Sequence, residues 1–388
     1  MILRKFAIIK REYMFLERIL ITDFKNIHSA ELYFSPKLNC IWGNNGEGKT
    51  NLLDAIYYLS VTKSYFNSSD IYTFKRGCSY TALNGVYDID GEKCSISIGI
   101  KGLETEEGTM KVEEKVVKKD GKNYSRISEH IGKIPVVVVS PTDTELINSG
   151  GEERRRFINI VLSQLDGEYL RRLQNYNSLL LQRNKLLKMG GGGQAIAEYL
   201  ETIDERMAAN ADYIYQKRLG ISTMLDKTVC KYYSILSGAK ETVSFAYRSQ
   251  LEQMNLQELF KSNLERDVIL KYTSSGIHRD DFIFSIENMP IKNCGSQGQQ
   301  KTFLIALKLA QYEIMLDIHG KQPLLLLDDV FDKLDIGRVG RLIDIVSGSR
   351  FGQIFITDSS KVRMESVLEP VLAASKNFTV ENGQFQIL

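Results

Sequence analysis

The chain has 388 residues, enough for two or three domains with a sizeable buried core. Hydrophobic residues make up 43% and charged residues 25%, and no stretch approaches the roughly 20 apolar residues that span a bilayer, which excludes an integral transporter. Lys plus Arg at 50 against Asp plus Glu at 48 leaves a net charge of +2, too balanced to mark a nucleic-acid or membrane partner, so any basic surface is local.

Residues 1–13 start basic, but their apolar run extends only from Phe6 to Ile9. They do not read as a secretory signal and are set aside as an extension outside the fold. Five cysteines (Cys40, Cys78, Cys94, Cys230 and Cys294) lie far apart without a CxxC pair, which suits reduced thiols in a cytoplasmic protein rather than disulfides or zinc. From residue 14 to 140, short β-rich runs alternate with turn signals and predict strands at 16–22, 30–35, 38–42, 94–100, 111–117 and 135–140. One helix interrupts them, starting near Lys49 with Leu52, Leu53, Ile56 and Leu59 on one face. Between 101 and 126, seven basic and six acidic residues mix along the run, as in a solvated hairpin rather than a binding tail.

No proline occurs between Pro141 and Pro290, and the pattern there turns helical. Leu173, Tyr176, Leu180 and Leu187 predict one amphipathic helix from about Arg154 to Lys188. Gly190 to Gly193 break it, and a second helix from Ala195 past Ile235 completes a hairpin with a flexible tip. At ~1.5 Å per residue an arm of about 35 residues reaches roughly 50 Å, too short for the long coiled coil of a chromosome-tethering machine. The same stripe also suits ordinary bundle packing. Beyond Tyr272 the chain reads as α/β again: strand 282–286, a helix from Gln299 to His319, strand 324–328, a helix from Ile336 to Val346, and strand 353–357.

The strongest local signal is Gly43-Asn44-Asn45-Gly46-Glu47-Gly48-Lys49-Thr50, a complete GxxxxGKT between an apolar strand and a helix. In that setting backbone N–H groups and the helix N-terminus face phosphate oxygens, Lys49 reaches the β- and γ-phosphates, and the Thr50 hydroxyl ligates Mg²⁺. Such a loop needs an acidic partner for the metal, and the apolar run 324–327 supplies it by ending in Asp328. Asp329 follows at once. Adjacent strand residues point opposite ways, so Asp328 is expected to face the metal while Asp329 orients the attacking water; a helix cap is the alternative for Asp329. Lys49 and Asp328 stand 279 positions apart, so a large segment is inserted between them.

These elements resemble the ATPase heads of the ABC/SMC superfamily, and within it the RecF family of DNA-repair proteins. Leu20 to Asn26 looks like that family's strand-and-FxN element, and residues 43–56 match its P-loop, with Asp54 where a glutamate is usual. Ser140 to Asp143, Arg154 to Phe157, Leu181 to Lys188 and Gly276 to Asp281 resemble further family elements in the same order. Gly295 to Lys301 resembles the ABC signature loop and Asp332 to Asp335 the D-loop, while Thr357 sits where ABC proteins carry a switch histidine.

The resemblance implies an α/β fold: an ABC/SMC-type P-loop ATPase head with a strand-rich N-terminal subdomain and an inserted helical lobe. Its expected parts are 14–150 (Walker A), 151–270 (helical lobe) and 271–388 (signature, Walker B and D-loop). The cofactors implied are ATP and Mg²⁺. Asp329, Lys49, Ser296 and Asp335 are implied to be catalytic, with Ser296, Gly298 and Asp335 acting across an ATP-dependent homodimer. A serine and glycine at a helix start also form an anion site on physical grounds. The implied partners are double-stranded DNA and gap junctions, RecR and RecO, with no membrane, and the implied role is to help load RecA. Two other readings are an ATPase subunit of a nuclease or phage-defence complex and a nucleotide-gated interaction module. Against the first, only 31 residues follow Thr357. His278 suits either a metal or catalytic role or a bracing network. Arg154, Arg155 and Arg156 oppose the dipole of the helix they open, so phosphate or nearby acids must neutralise them.

Overall fold

A computed structural model describes residues 13–105, 109–189, 194–332, 334–362 and 375–388. The N-terminal extension through residue 12, positions 106–108 of the charged hairpin, the four-glycine tip and Lys333 of the D-loop stretch lie outside the described residues. The chain divides into two compact units. One runs through Asp143 and includes Ile235–Gly238 and Gln297 onward; the other comprises Thr144–Ser234 and Ala239–Ser296.

In the first unit, strands β1 (Met14–Phe24), β2 (Ile27–Tyr33), β4 (Tyr80–Ile89), β5 (Glu92–Glu104), β6 (Met110–Lys119) and β7 (Lys122–Asn123) form an antiparallel sheet in the order β2-β1-β4-β5-β6-β7. Burial alternates along β4 and β5, as expected of strands with one face on a core. A second sheet has the order β15-β14-β3-β13-β12-β8, from β3 (Leu38–Trp42), β8 (Val136–Val139), β12 (Leu324–Asp328), β13 (Ile354–Asp358), β14 (Ser375–Glu381) and β15 (Gln384–Ile387). Its strands are parallel except for β15, and β3, β8, β12 and β13 are buried throughout, as strands covered on both faces are.

Helix α1 (Lys49–Val61) touches both sheets, and ten of its residues are buried, including Leu53, Ala55, Tyr57 and Tyr58. The one-sided apolar face expected from sequence is therefore a helix apolar nearly all round, as a helix packed on two sides must be. Asp54 in its middle is fully buried, pairs with Lys25 Nζ at 2.6 Å, and accepts from Ser64 Oγ at 2.7 Å and Tyr65 N at 2.8 Å. A buried carboxylate persists only with such partners.

The second unit carries α2 (Glu145–Asn148), α3 (Gly151–Leu165), α4 (Gly167–Lys188), most of α5 (Gln194–Ser237) and α6 (Leu256–Leu270). The single helix expected from Arg154 to Lys188 is two, because Asp166 leaves helical geometry and caps α4, accepting from Glu168 N and Tyr169 N. At 44 residues and ~1.5 Å each, α5 is about 66 Å long, more than the roughly 50 Å expected. The unit is not purely helical: β9 (Val243–Arg248), β10 (Asp281–Ile286) and β11 (Met289–Pro290) form a small antiparallel sheet. Thus strand 282–286, assigned from sequence to the C-terminal part of the head, pairs with β9 here. Short α7 (Ile291–Cys294) ends the unit, and α8 (Gln297–His319) and α9 (Ile336–Ser347) return to the first. Among the described residues, no helix is long and apolar enough to cross a membrane.

Candidate nucleotide-binding site

Strands β3, β13 and β12 lie side by side and parallel, with Thr357 beside both Asp328 and Ile41 and with Asp358 beside Trp42. Ligands of such sheets take the crevice beyond the strands' carboxyl ends. Here that crevice receives Gly43 to Gly48 after β3 and the first turn of α1. A side chain at Gly43 would collide with the Val380 carbonyl of β14, and Gly48 holds φ at 123°, a conformation suited to glycine.

Lys49 is buried, and its Nζ donates to the Gly43 carbonyl at 2.6 Å and the Asn44 carbonyl at 2.9 Å. Burial lowers its pKa, opposed by the charges of Asp329, Asp328, Asp358 and Glu47. Thr50 Oγ1 lies 3.0 Å and 3.1 Å from the two oxygens of Asp328, whose own pKa burial raises. The Thr357 hydroxyl donates to Asp328 Oδ1 at 2.8 Å and accepts from Asp329 N at 3.1 Å.

The strand ends at Asp328, so the expected alternation does not orient Asp329. Asp329 has left the sheet with φ at 49°, and that turn directs its carboxylate. Its Oδ1 is buried without a hydrogen-bond partner among the described residues. A hydroxyl beside a carboxylate is a hard-oxygen donor pair that fits Mg²⁺, an ion that takes few protein ligands and completes its shell with water and phosphate. Thr50 and Asp328 are the residues that can hold it.

Two supports of the phosphate-binding loop, and one of the segment after β12, were not anticipated. Asn26 of the FxN element donates to the Gly46 carbonyl at 3.2 Å and accepts from Asn51 Nδ2 at 2.7 Å. The turn joining β14 and β15 donates from Gly383 N to the Glu47 carbonyl at 2.8 Å and from Asn382 N to the Glu47 carboxylate. Lys301 on α8 donates to the Asp332 carbonyl and stands 3.5 Å from that of Asp329.

The structure thus gathers Gly43 to Thr50, Asp328 and Asp329. Gly298 and Asp335 lie in the same unit, in the first turn of α8 and at the start of α9 respectively. Asp335 caps α9, accepting from Arg338 N at 2.9 Å and pairing with Arg338 Nε at 3.2 Å. Ser296 is exposed and is the last residue of the second unit.

In the second unit, α3 starts at Gly151 with Glu152 and Glu153 in its first turn, so Arg154, Arg155 and Arg156 do not open the helix as expected; they find acids and carbonyls. Arg154 grips both oxygens of Asp281 at 2.8 Å and 2.9 Å, Arg155 donates to the Asp280 carbonyl at 2.6 Å, and Arg156 pairs with Glu153 at 3.5 Å. His278 is mostly buried, with Nδ1 2.9 Å from the Tyr176 hydroxyl and Nε2 3.1 Å from the Thr273 carbonyl. Both ring nitrogens are thereby engaged, which favours bracing over metal binding. Arg183 and Asn184, from the 181–188 element, tie α4 to Asp267 at 2.6 Å and to Thr273 N at 2.7 Å.

Burial pushes the His278 pKa down from 6.5 to about 4. Between those values the unfolded chain binds the proton and the folded one does not. The neutral ring's contribution to stability is therefore complete above about pH 6.5 and is lost as pH falls toward 4. In urea titrations the wild type is expected to lose about 2 kcal/mol more than His278→Gln between about pH 7.5 and 5. Equal losses would remove the histidine from that balance.

The family model described as RecF/RecN/SMC N terminal domain matches residues 15–381. A DNA replication and repair protein RecF from Phocaeicola vulgatus is 43% identical over 374 residues, covering 96% of this chain and 98% of that protein. The RecF of Flavobacterium johnsoniae is 38% identical over 368 residues, 95% of this chain and 100% of that one. Among solved structures, the recombination mediator protein RecF-ATP in the RecFOR pathway superposes with a TM-score of 0.85 at 29% identity, covering 99% of this chain and 100% of that chain. A Smc head domain from Pyrococcus furiosus, at 14% identity and a TM-score of 0.54 over 97% of this chain and 96% of its own, shares the fold. The α/β architecture is thus that of an ABC/SMC ATPase head.

Proposed function

The chain belongs to the RecF family, and on that premise we propose that it is an ATP-dependent DNA-binding protein of recombinational gap repair and replication. ATP drives its heads to dimerise on double-stranded DNA at gap junctions, slow DNA-stimulated hydrolysis releases them, and together with RecO and RecR it helps load RecA. The observation that carries this reading is the P-loop threonine meeting the carboxylate at the end of β12, 3.0 Å apart, in a chain whose signature and D-loop elements follow in the family's order.

Lys49 gives up its two loop carbonyls to the β- and γ-phosphates, and the backbone N–H groups of 43–50 wrap the phosphate chain. Thr50 and Asp328 would hold Mg²⁺, which when bound would supply charge neutralisation to the phosphates. Asp329 accepts a proton from water as the water oxygen bonds to the γ-phosphorus. The bond to the β–γ bridging oxygen breaks, and its electron pair leaves on ADP. Ser296 and Gly298 grip the γ-phosphate of the opposite protomer, and Asp335 approaches the shared nucleotide, so ATP joins two heads.

Ser296→Arg is expected to bind ATP within about threefold of wild type while losing the ATP-induced change from one chain to two in light scattering, because a bulky cation displaces the anion-gripping hydroxyl. Retained dimerisation in that variant would refute the arrangement across the dimer.

A further inference from the structure

We propose that Thr357 is the positioning residue of the hydrolytic site, fixing Asp328 and Asp329 through one hydroxyl rather than reaching the γ-phosphate itself. The assignment rests on the ATPase reading above. A threonine hydroxyl has one hydrogen to donate. Thr357 spends it on Asp328 Oδ1 at 2.8 Å while accepting from Asp329 N at 3.1 Å, and the residue is fully buried. No donor remains for phosphate, unlike a histidine in that position, whose ring extends further and presents a second nitrogen.

What the hydroxyl does is hold two acids at once. Asp328 is held by Thr50 from α1 and by Thr357 from β13, so its carboxylate cannot turn freely. Asp329 adopts φ of 49°, a left-handed conformation that a non-glycine residue keeps only when its surroundings enforce it. Its N–H is bound by Thr357, and its carbonyl faces Lys301 Nζ at 3.5 Å, so the turn is gripped on both sides. That grip aims the carboxylate whose Oδ1 is buried without a hydrogen-bond partner among the described residues, an acceptor for the attacking water.

The test compares Thr357→Val, Thr357→Ala and Thr357→Ser in the full chain, alone and combined with Asp329→Asn. Thr357→Val keeps the shape and removes both hydrogen bonds. Thr357→Ala removes them with less bulk and serves if valine does not fold, as judged by the thermal midpoint. With ATP, Mg²⁺ and duplex DNA, Thr357→Val and Thr357→Ala are expected to lower kcat about tenfold or more, with KM and ATP Kd within about threefold of wild type. Thr357→Ser is expected to recover kcat to within about threefold. In the Asp329→Asn background, removing the hydroxyl is expected to lower kcat by clearly less than in wild type, because only its hold on Asp328 is left to lose. Wild-type kcat in both Thr357→Val and Thr357→Ala, or an undiminished further loss on Asp329→Asn, overturns this assignment alone. A wild type that does not hydrolyse ATP overturns it together with the functional reading.

Discussion

Replacing Lys49 with methionine is expected to weaken ATP binding by about a hundredfold or more and to abolish ATP-induced dimerisation, while the thermal midpoint stays within a few degrees of wild type. The size follows from the site. The ammonium is buried between the Gly43 and Asn44 carbonyls, so a phosphate that replaces them meets an already desolvated charge. Charge-assisted hydrogen bonds contribute about 1.5–3 kcal/mol each, and about 3 kcal/mol corresponds to roughly two decades of affinity. Methionine has nearly the same length and fills the same channel without donating. Its folding cost is small because both carbonyls belong to a loop that can meet water. Calorimetric titration with ATP and light scattering read the two effects separately. An affinity within about threefold of wild type would show that Lys49 does not contact phosphate.

Most of this site was legible because its chemistry is local in sequence. GNNGEGKT specifies its own geometry, and an apolar run ending in Asp328 specifies a buried strand with a carboxylate at its end, which lies 3.0 Å from the Thr50 hydroxyl. The parallel neighbours could not be read in the same way. That Thr357 lies beside Asp328 is a consequence of pairing between β12 and β13 across an intervening helix. No periodicity within either segment encodes that register.

Other misses had signals that went unused. Asp166-Gly167 interrupts the long helix with a cap residue followed by a poor helix former, and the apolar stripe on both sides concealed it. Glu381-Asn382-Gly383-Gln384 is a two-residue hairpin signature, confirmed by positive φ at both central residues. It is also what places the turn's N–H groups on Glu47. Strand β9 was hidden inside a proline-free region read as helical, since six residues of alternating burial are too few to outweigh the surrounding period. The error at Asp329 was of a different kind: alternation holds only within the strand, and one residue beyond its end the turn decides direction.

Asp329→Asn separates the two neighbouring carboxylates most sharply. Asparagine keeps the shape and can still accept a hydrogen bond at the buried Oδ1, but it does not take up a proton from water at neutral pH. General-base catalysis contributes about 10²–10⁴-fold, so kcat is expected to fall at least about a hundredfold in single-turnover assays. ATP affinity should not fall with it. The Asp329 charge opposes the pKa lowering of Lys49 and adds to the raising of that of Asp328, so its field reaches the phosphate-binding end of the site. Removing one negative charge there favours an anionic nucleotide, and ATP Kd is expected to hold or tighten slightly. The variant should therefore accumulate as the ATP-bound dimer on duplex DNA, dissociating more slowly than wild type. Asp328→Asn, which strikes the residue held by both Thr50 and Thr357, should instead lose affinity for ATP with Mg²⁺ and fail to dimerise. If both variants lose ATP affinity equally, Asp329 shares the metal-holding role and the water must be oriented by another group.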